Sequence, residues 1–179
     1  DGLDLLGHTL TSWHRQLGIV TQENFLFSGT VMENLKFGRP EATDAEVIEA
    51  ARKLGTDEIF AGLSEGYATK VGDRGGTLSA GERQLMTLTR ALVADPALLI
   101  LDEATSAVDP RTEAIIQRAL DLLFLGRTCF VVAHRLSTVR RAGQILVLDH
   151  GRLVESGTHA SLLAARGRYA DLHDAFVGA

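Results

Sequence analysis

Apolar positions along the chain fall into short continuous runs and longer stretches of helical spacing. Leu17-Gly18-Ile19-Val20 is a brief apolar run that opens into polar Thr21-Gln22, as a buried strand leading into a loop reads. Ala97 to Leu101 is a solid apolar run ending in Asp102-Glu103, the pattern of a strand covered on both faces. Arg127 to Ala133 forms another continuous strand, ending at His134. Gln144 to Leu148 and Arg152 to Glu155 flank His150-Gly151, which predicts a hairpin.

Between these runs the period changes to that of a helix. A short helical pattern reaches Leu35 after a polar and aromatic loop from Glu23 to Gly29. Thr43 and Glu46 form a capping box, opening a helix that buries Val47, Ala50, Ala51 and Leu54 and ends at Gly55. Ser79 and Glu82 form a second, opening a helix with Leu85, Leu88 and Leu92 on one face, stopped by Asp95-Pro96. Asp109-Pro110 starts another, with Asp as cap and Pro at the first position, and two short helices close the chain. Alternating strands and helices predict an α/β fold with a mainly parallel sheet. The stretch from about Val31 to Thr77 reads as helical without strands, an inserted α-helical subdomain.

Composition adds exclusions. The 179 residues suit a single domain with a real core. A formal net charge of −5 argues against nucleic-acid binding, which needs a basic stripe. The single cysteine, Cys129, permits no internal disulfide and sits in an apolar run, as a buried, inert thiol would. No segment approaches the roughly 20 apolar residues of a membrane span, so membrane association is expected through a partner or a covalently attached region.

Candidate chemistry gathers at strand ends. In parallel sheets ligands sit beyond the carboxyl ends of the strands, and three such ends carry polar groups: Gln22, Asp102-Glu103 and His134. Adjacent carboxylates after an apolar run are costly unless a cation or water chain receives them. Asp102 suits Mg²⁺, and Glu103 suits polarising an attacking water. His134 can hydrogen-bond a terminal phosphate, and Gln22 can ligate Mg²⁺, sense water or cap its loop. Ser79, Ala80, Gly81 and Glu82 form an ordinary helix start that also presents amides and partial positive charge to an anion. A bulkier residue at Gly81 would block close backbone approach.

Taken in order, these residues resemble the ABC ATPase family over nearly the whole chain. Gly18 to Gln22 resembles the Q-loop, Leu78 to Gln84 the signature motif, and Leu98 to Glu103 the Walker B strand with its catalytic Glu. Ser106-Ala107-Val108-Asp109 resembles the D-loop and His134 the switch histidine. Phe27 to Leu35 and Val71 to Gly76 are similar to exporter-type cassettes. The resemblance implies a P-loop NTPase-like ABC ATPase core, with 31–95 as helical and signature subdomain and 1–30 and 96–179 as the remainder. It implies ATP and Mg²⁺, with Asp102 and Gln22 at the metal and Glu103, His134 and Gln22 in catalysis. Ser79, Ala80, Gly81, Glu82 and Asp109 would contact nucleotide, the signature residues serving the ATP of a second ABC cassette packed head to tail. The Q-loop and Thr69–Gly72 would face transmembrane domains, placing the chain at the cytoplasmic face of a membrane.

Three departures stand out. Lys70 replaces a commonly acidic residue, and Ala80 and Glu82 replace the more usual Gly and Gln. No G-x-x-x-x-G-K-[ST] loop, the Walker A element, occurs in the chain. In this family that loop lies upstream, so the chain is expected to begin after it, to hydrolyse no ATP alone, and to leave apolar sheet surface uncovered. ABC ATPases of chromosome maintenance, repair or translation share these motifs. Those with coiled-coil arms, however, need sustained heptads that the interval from Gln22 to Ser79 lacks.

Overall fold

Reciprocal side-chain caps open the helices that begin at Val31, Asp44, Ala80 and His159, a single carboxylate caps the one that begins at Pro110, and most of the elements between follow the predicted rhythm. The computed structural model describes residues 4–102, 108–133 and 136–177. In chain order they form α1 (Leu10–Gln16), β1 (Leu17–Val20), β2 (Gly29–Thr30), α2 (Val31–Lys36), α3 (Asp44–Leu54), α4 (Asp57–Ala61) and β3 (Lys70–Val71). There follow α5 (Ala80–Ala94), β4 (Leu98–Asp102), α6 (Pro110–Phe124), β5 (Thr128–Val132), α7 (Leu136–Arg141), β6 (Ile145–Asp149), β7 (Arg152–Gly157), α8 (His159–Ala165) and α9 (Arg168–Val177). Two compact units contain them, Asp1–Val132 and Ala133–Ala179.

In the first unit β1, β4 and β5 make a parallel sheet in the order β1-β4-β5. One face is covered: Val20, Leu99 and Leu101 pack with Leu85, Leu88 and Ala91 of α5 and with Ile116, Ala119, Leu120 and Leu123 of α6. The opposite face is not. Ile19, Phe130 and Val132 are 58%, 58% and 57% exposed there, and Leu98 and Ile100 are only half-buried. β4 therefore corrects the expectation of a strand covered on both faces: helices lie against one side, and only alternate residues are buried. Cys129 is likewise half-buried rather than buried, with its thiol pKa raised by desolvation.

A second core surrounds the other side of α5. Met86 and Val93 meet Leu26, Val31, Leu35, Val47, Ala51, Phe60 and Val71, so α5 is shared between two apolar clusters. Buried Thr56 and Thr89 join their hydroxyls at 3.1 Å, fixing the corner between α3 and α4 onto α5. This region is not free of strands, as its pattern suggested. β2 and β3 pair antiparallel, with Gly29 opposite Val71 and Thr30 opposite Lys70, because the chain returns to cover the start of α2. At the amino edge of the parallel sheet, Arg127 donates to the carbonyls of Pro96 and Leu123 and pairs with Asp95.

The second unit is a β6–β7 hairpin turned by His150 (φ 45°) and Gly151 (φ 74°), with Val147, Leu162 and Tyr169 at its core. The Glu155 carboxylate accepts the first amides of α9, from Arg168 at 2.6 Å and Tyr169 at 2.9 Å.

The caps give stability a pH signature. Amide and hydroxyl bonds from Thr30 and Thr43 hold the Glu33 and Glu46 carboxyls below the usual carboxylate range, and Thr112 does the same for Asp109. A depressed folded pKa means the unfolded chain binds more protons, so this stabilisation is complete above that range and is lost as pH falls through the folded values. Urea unfolding followed by helical circular dichroism should show a lower midpoint at about pH 3 than at pH 7. Thr43→Ala should shrink that difference.

Candidate functional site

The register of the parallel sheet decides where the polar strand ends meet. Val20 pairs with Leu101, and Leu101 with Val131, so β1, β4 and β5 finish along one edge. Asp102 is the last residue of β4, opposite Val132, and is half-buried. Gln22 leaves the same edge, exposed in a turn closed by the Asn24 amide donating to the Thr21 carbonyl at 3.2 Å. Two of the predicted residues are thus brought to one edge. Glu103 and His134 lie outside the described residues.

Below it is a small recess lined by Thr21, Asn24, Gln84 and Asp102 over the apolar Val20 and Leu101. Its polar lining is carboxylate, hydroxyl and carboxamide, an oxygen-rich set that suits a hard cation. Gln22 and Ser79 to Glu82 are not part of that lining; α5 reaches it through Gln84 and Leu88.

At the start of α5 the capping box is complete. The Ser79 hydroxyl accepts from the Glu82 amide at 3.2 Å, and the Glu82 carboxylate accepts from the Ser79 amide at 2.7 Å. The Arg83 amide bonds the Ser79 carbonyl at 3.0 Å, leaving Ala80 and Gly81 as first-turn amides with no intrahelical acceptor. Gly81 is buried, and a Cβ there would lie 2.6 Å from Thr112 Cγ2 and 3.4 Å from Val108 Cγ1. Its smallness is therefore required inside the chain, where α5 meets the start of α6, as well as toward any anion. Asp109 caps α6 by accepting from the amides of Arg111 and Thr112, both at 3.0 Å.

Residues that the sequence pattern did not single out tie these parts together. The Thr87 hydroxyl bonds Asn24 Oδ1 at 2.9 Å, and Arg90 donates to carbonyls of the loop after Gln22 and of α2. Thr87 and Arg90 follow Gln84 at every third residue of α5, the local sign of them. The Val31 amide bonds the Thr69 carbonyl at 3.0 Å, so the β2–β3 pair joins the two segments that the resemblance turns toward transmembrane domains. Beside them Phe25, Phe27 and Phe37 are 45%, 36% and 55% exposed, and Lys70 is exposed.

Comparison with known proteins gives consistent matches. The model of the family described as ABC transporter matches residues 1–106. An uncharacterized ABC transporter ATP-binding protein, YknV, of Bacillus subtilis is 54% identical over 96% of the chain and 28% of its own length. A fatty acid ABC transporter ATP-binding/permease protein of Mycobacterium bovis is 51% identical over 94% of the chain and 27% of its own length. Among solved structures, a bacterial Atm1-family ABC exporter with ATP bound superposes with a TM-score of 0.85 at 44% identity, covering 96% of this chain and 30% of that one. The chain thus spans less than a third of the length of these relatives. Among the described residues no helix is long and apolar enough to cross a membrane.

The tight fit at Gly81 is testable. Gly81→Ala should lower the urea midpoint by a net loss of roughly 1 kcal/mol, since overpacking costs about 1–3 kcal/mol and outweighs the helix propensity gained. An unchanged or higher midpoint would mean that Thr112 turns aside freely.

Proposed function

The chain belongs to the ABC transporter family, and on that premise we propose that it contributes catalytic and coupling elements to an ATPase that powers export across a membrane. The register that ends β1, β4 and β5 on one edge, with Gln22 and Asp102 at it, supports this reading most directly. We assign 31–95 to the helical and signature subdomain, whose own core gathers around Phe60 and Leu35, and 1–30 and 96–179 to the catalytic core.

Asp102 and Gln22 would hold Mg²⁺, which when bound supplies positive charge against the phosphates. Glu103 takes a proton from the water that attacks the γ-phosphorus, as the bond to the β-phosphate oxygen breaks and ADP leaves. His134 donates a hydrogen bond to the γ-phosphate. The Ala80 and Gly81 amides, with Ser79 held by Glu82, meet the γ-phosphate of a second cassette packed head to tail. Asp109, the cap of α6, would contact nucleotide alongside these residues. The loop after Gln22 and the Thr69–Gly72 segment, joined by β2 and β3, face transmembrane domains, with the cassette at the cytoplasmic side.

In the full-length protein, Glu103→Gln should cut ATP turnover by about 100-fold or more and accumulate ATP-bound dimers on size exclusion. Wild-type turnover in that variant would remove Glu103 from the role. The 179-residue chain alone, which has no phosphate loop, should neither hydrolyse ATP nor bind Mg-ATP with micromolar affinity by calorimetry.

A further inference from the structure

Arg90 lies in the third turn of α5, and its guanidinium reaches two other segments at once. Nε donates to the Asn34 carbonyl at 3.0 Å, Nη1 to the Phe25 carbonyl at 3.1 Å, and Nη2 to Asn34 Oδ1 at 3.0 Å. The same cation sits 5.5 Å from the Phe27 ring centroid and 5.8 Å from that of Phe37, two rings stacked at 3.9 Å. Asn34, only 2% exposed, extends the network: its Nδ2 donates to the Phe27 and Thr30 carbonyls, and its Oδ1 accepts the Phe27 amide.

All three of these acceptors are neutral, so the cation is held by the shape of its donor fork, which a lysine cannot reproduce. Burial lowers its pKa to about 10, and it remains charged at neutral pH. Desolvating a cation against carbonyls is an expensive way to fill space that a leucine would fill. What the fork provides is connection. One turn earlier, the bond from Thr87 to Asn24 makes a second tie between α5 and the same loop.

We propose that Arg90 is a positioning residue that makes α5, the 21–27 loop and α2 move as one body, so that displacement of the Ser79 end reaches the Phe25, Phe27 and Phe37 surface. The proposal rests on the ATPase reading above and adds the element that transmits it.

The test is hydrogen exchange on the full-length transporter in lipid nanodiscs, with and without Mg-ATP. In the wild type, Mg-ATP should slow exchange both at residues 79–82 and across 25–37. Arg90→Lys should keep the response at 79–82 and a KM for ATP within about twofold, yet lose more than about half of the response across 25–37. Full responses at both segments in the variant would overturn the proposal. So would a 25–37 segment that already exchanges freely without nucleotide, since Arg90 would then be a structural support only. If Arg90→Lys fails to accumulate in the membrane, Asn34→Ser, which keeps Arg90 but removes the Oδ1 that accepts from its Nη2, is read by the same criteria. A wild type that hydrolyses ATP with no response across 25–37 sinks the transmission while leaving the ATPase reading intact. A wild type without ATPase activity sinks both.

Discussion

The structure of the first unit depends on one helix being buried on nearly every side. α5 gives Leu85, Leu88 and Ala91 to the core beneath the parallel sheet, and Met86 and Val93 to the core of the helical region. A helix so enclosed has few solvated faces on which to place polar groups, and each one it carries must find a partner inside. Thr89 finds Thr56, Thr87 finds Asn24, and Arg90 finds the carbonyls of Phe25 and Asn34. Those obligatory bonds tie the surrounding segments to one helix.

Local features of the fold were readable from the chain because their causes are local. The boxes at Thr43–Glu46 and Ser79–Glu82 close over three residues, and both form as the spacing predicts. The turn at His150-Gly151, where both residues take positive φ, is equally self-contained. The β2–β3 pair was not readable: two residues long, it exists only because Thr30 meets Lys70 from a distant part of the chain. A continuous apolar run such as Leu98 to Leu101 declares a strand but not how many of its faces are covered, which is how β4 misled.

The site divides along the same line. Gln22 and Asp102 could be placed from the sequence because a polar residue after an apolar run marks the end of a strand, and the register brings those ends to one edge. Glu103 and His134 were proposed on the same grounds and lie outside the described residues. Arg90 and Asn34 were hidden, since their meaning resides in acceptors more than fifty positions away or behind an α2 turn. Gly81 carried a second meaning, an intramolecular contact with Thr112, that its place in the motif concealed.

The grip of Arg127 on Pro96, Leu123 and Asp95 has a mechanical corollary. It fastens β4, β5 and the end of α6 together at the sheet's amino side, where the two strands begin. Every rung, from Leu98 opposite Thr128 to Asp102 opposite Val132, inherits that starting point, so one arginine at the far end of the sheet fixes the level at which Asp102 emerges.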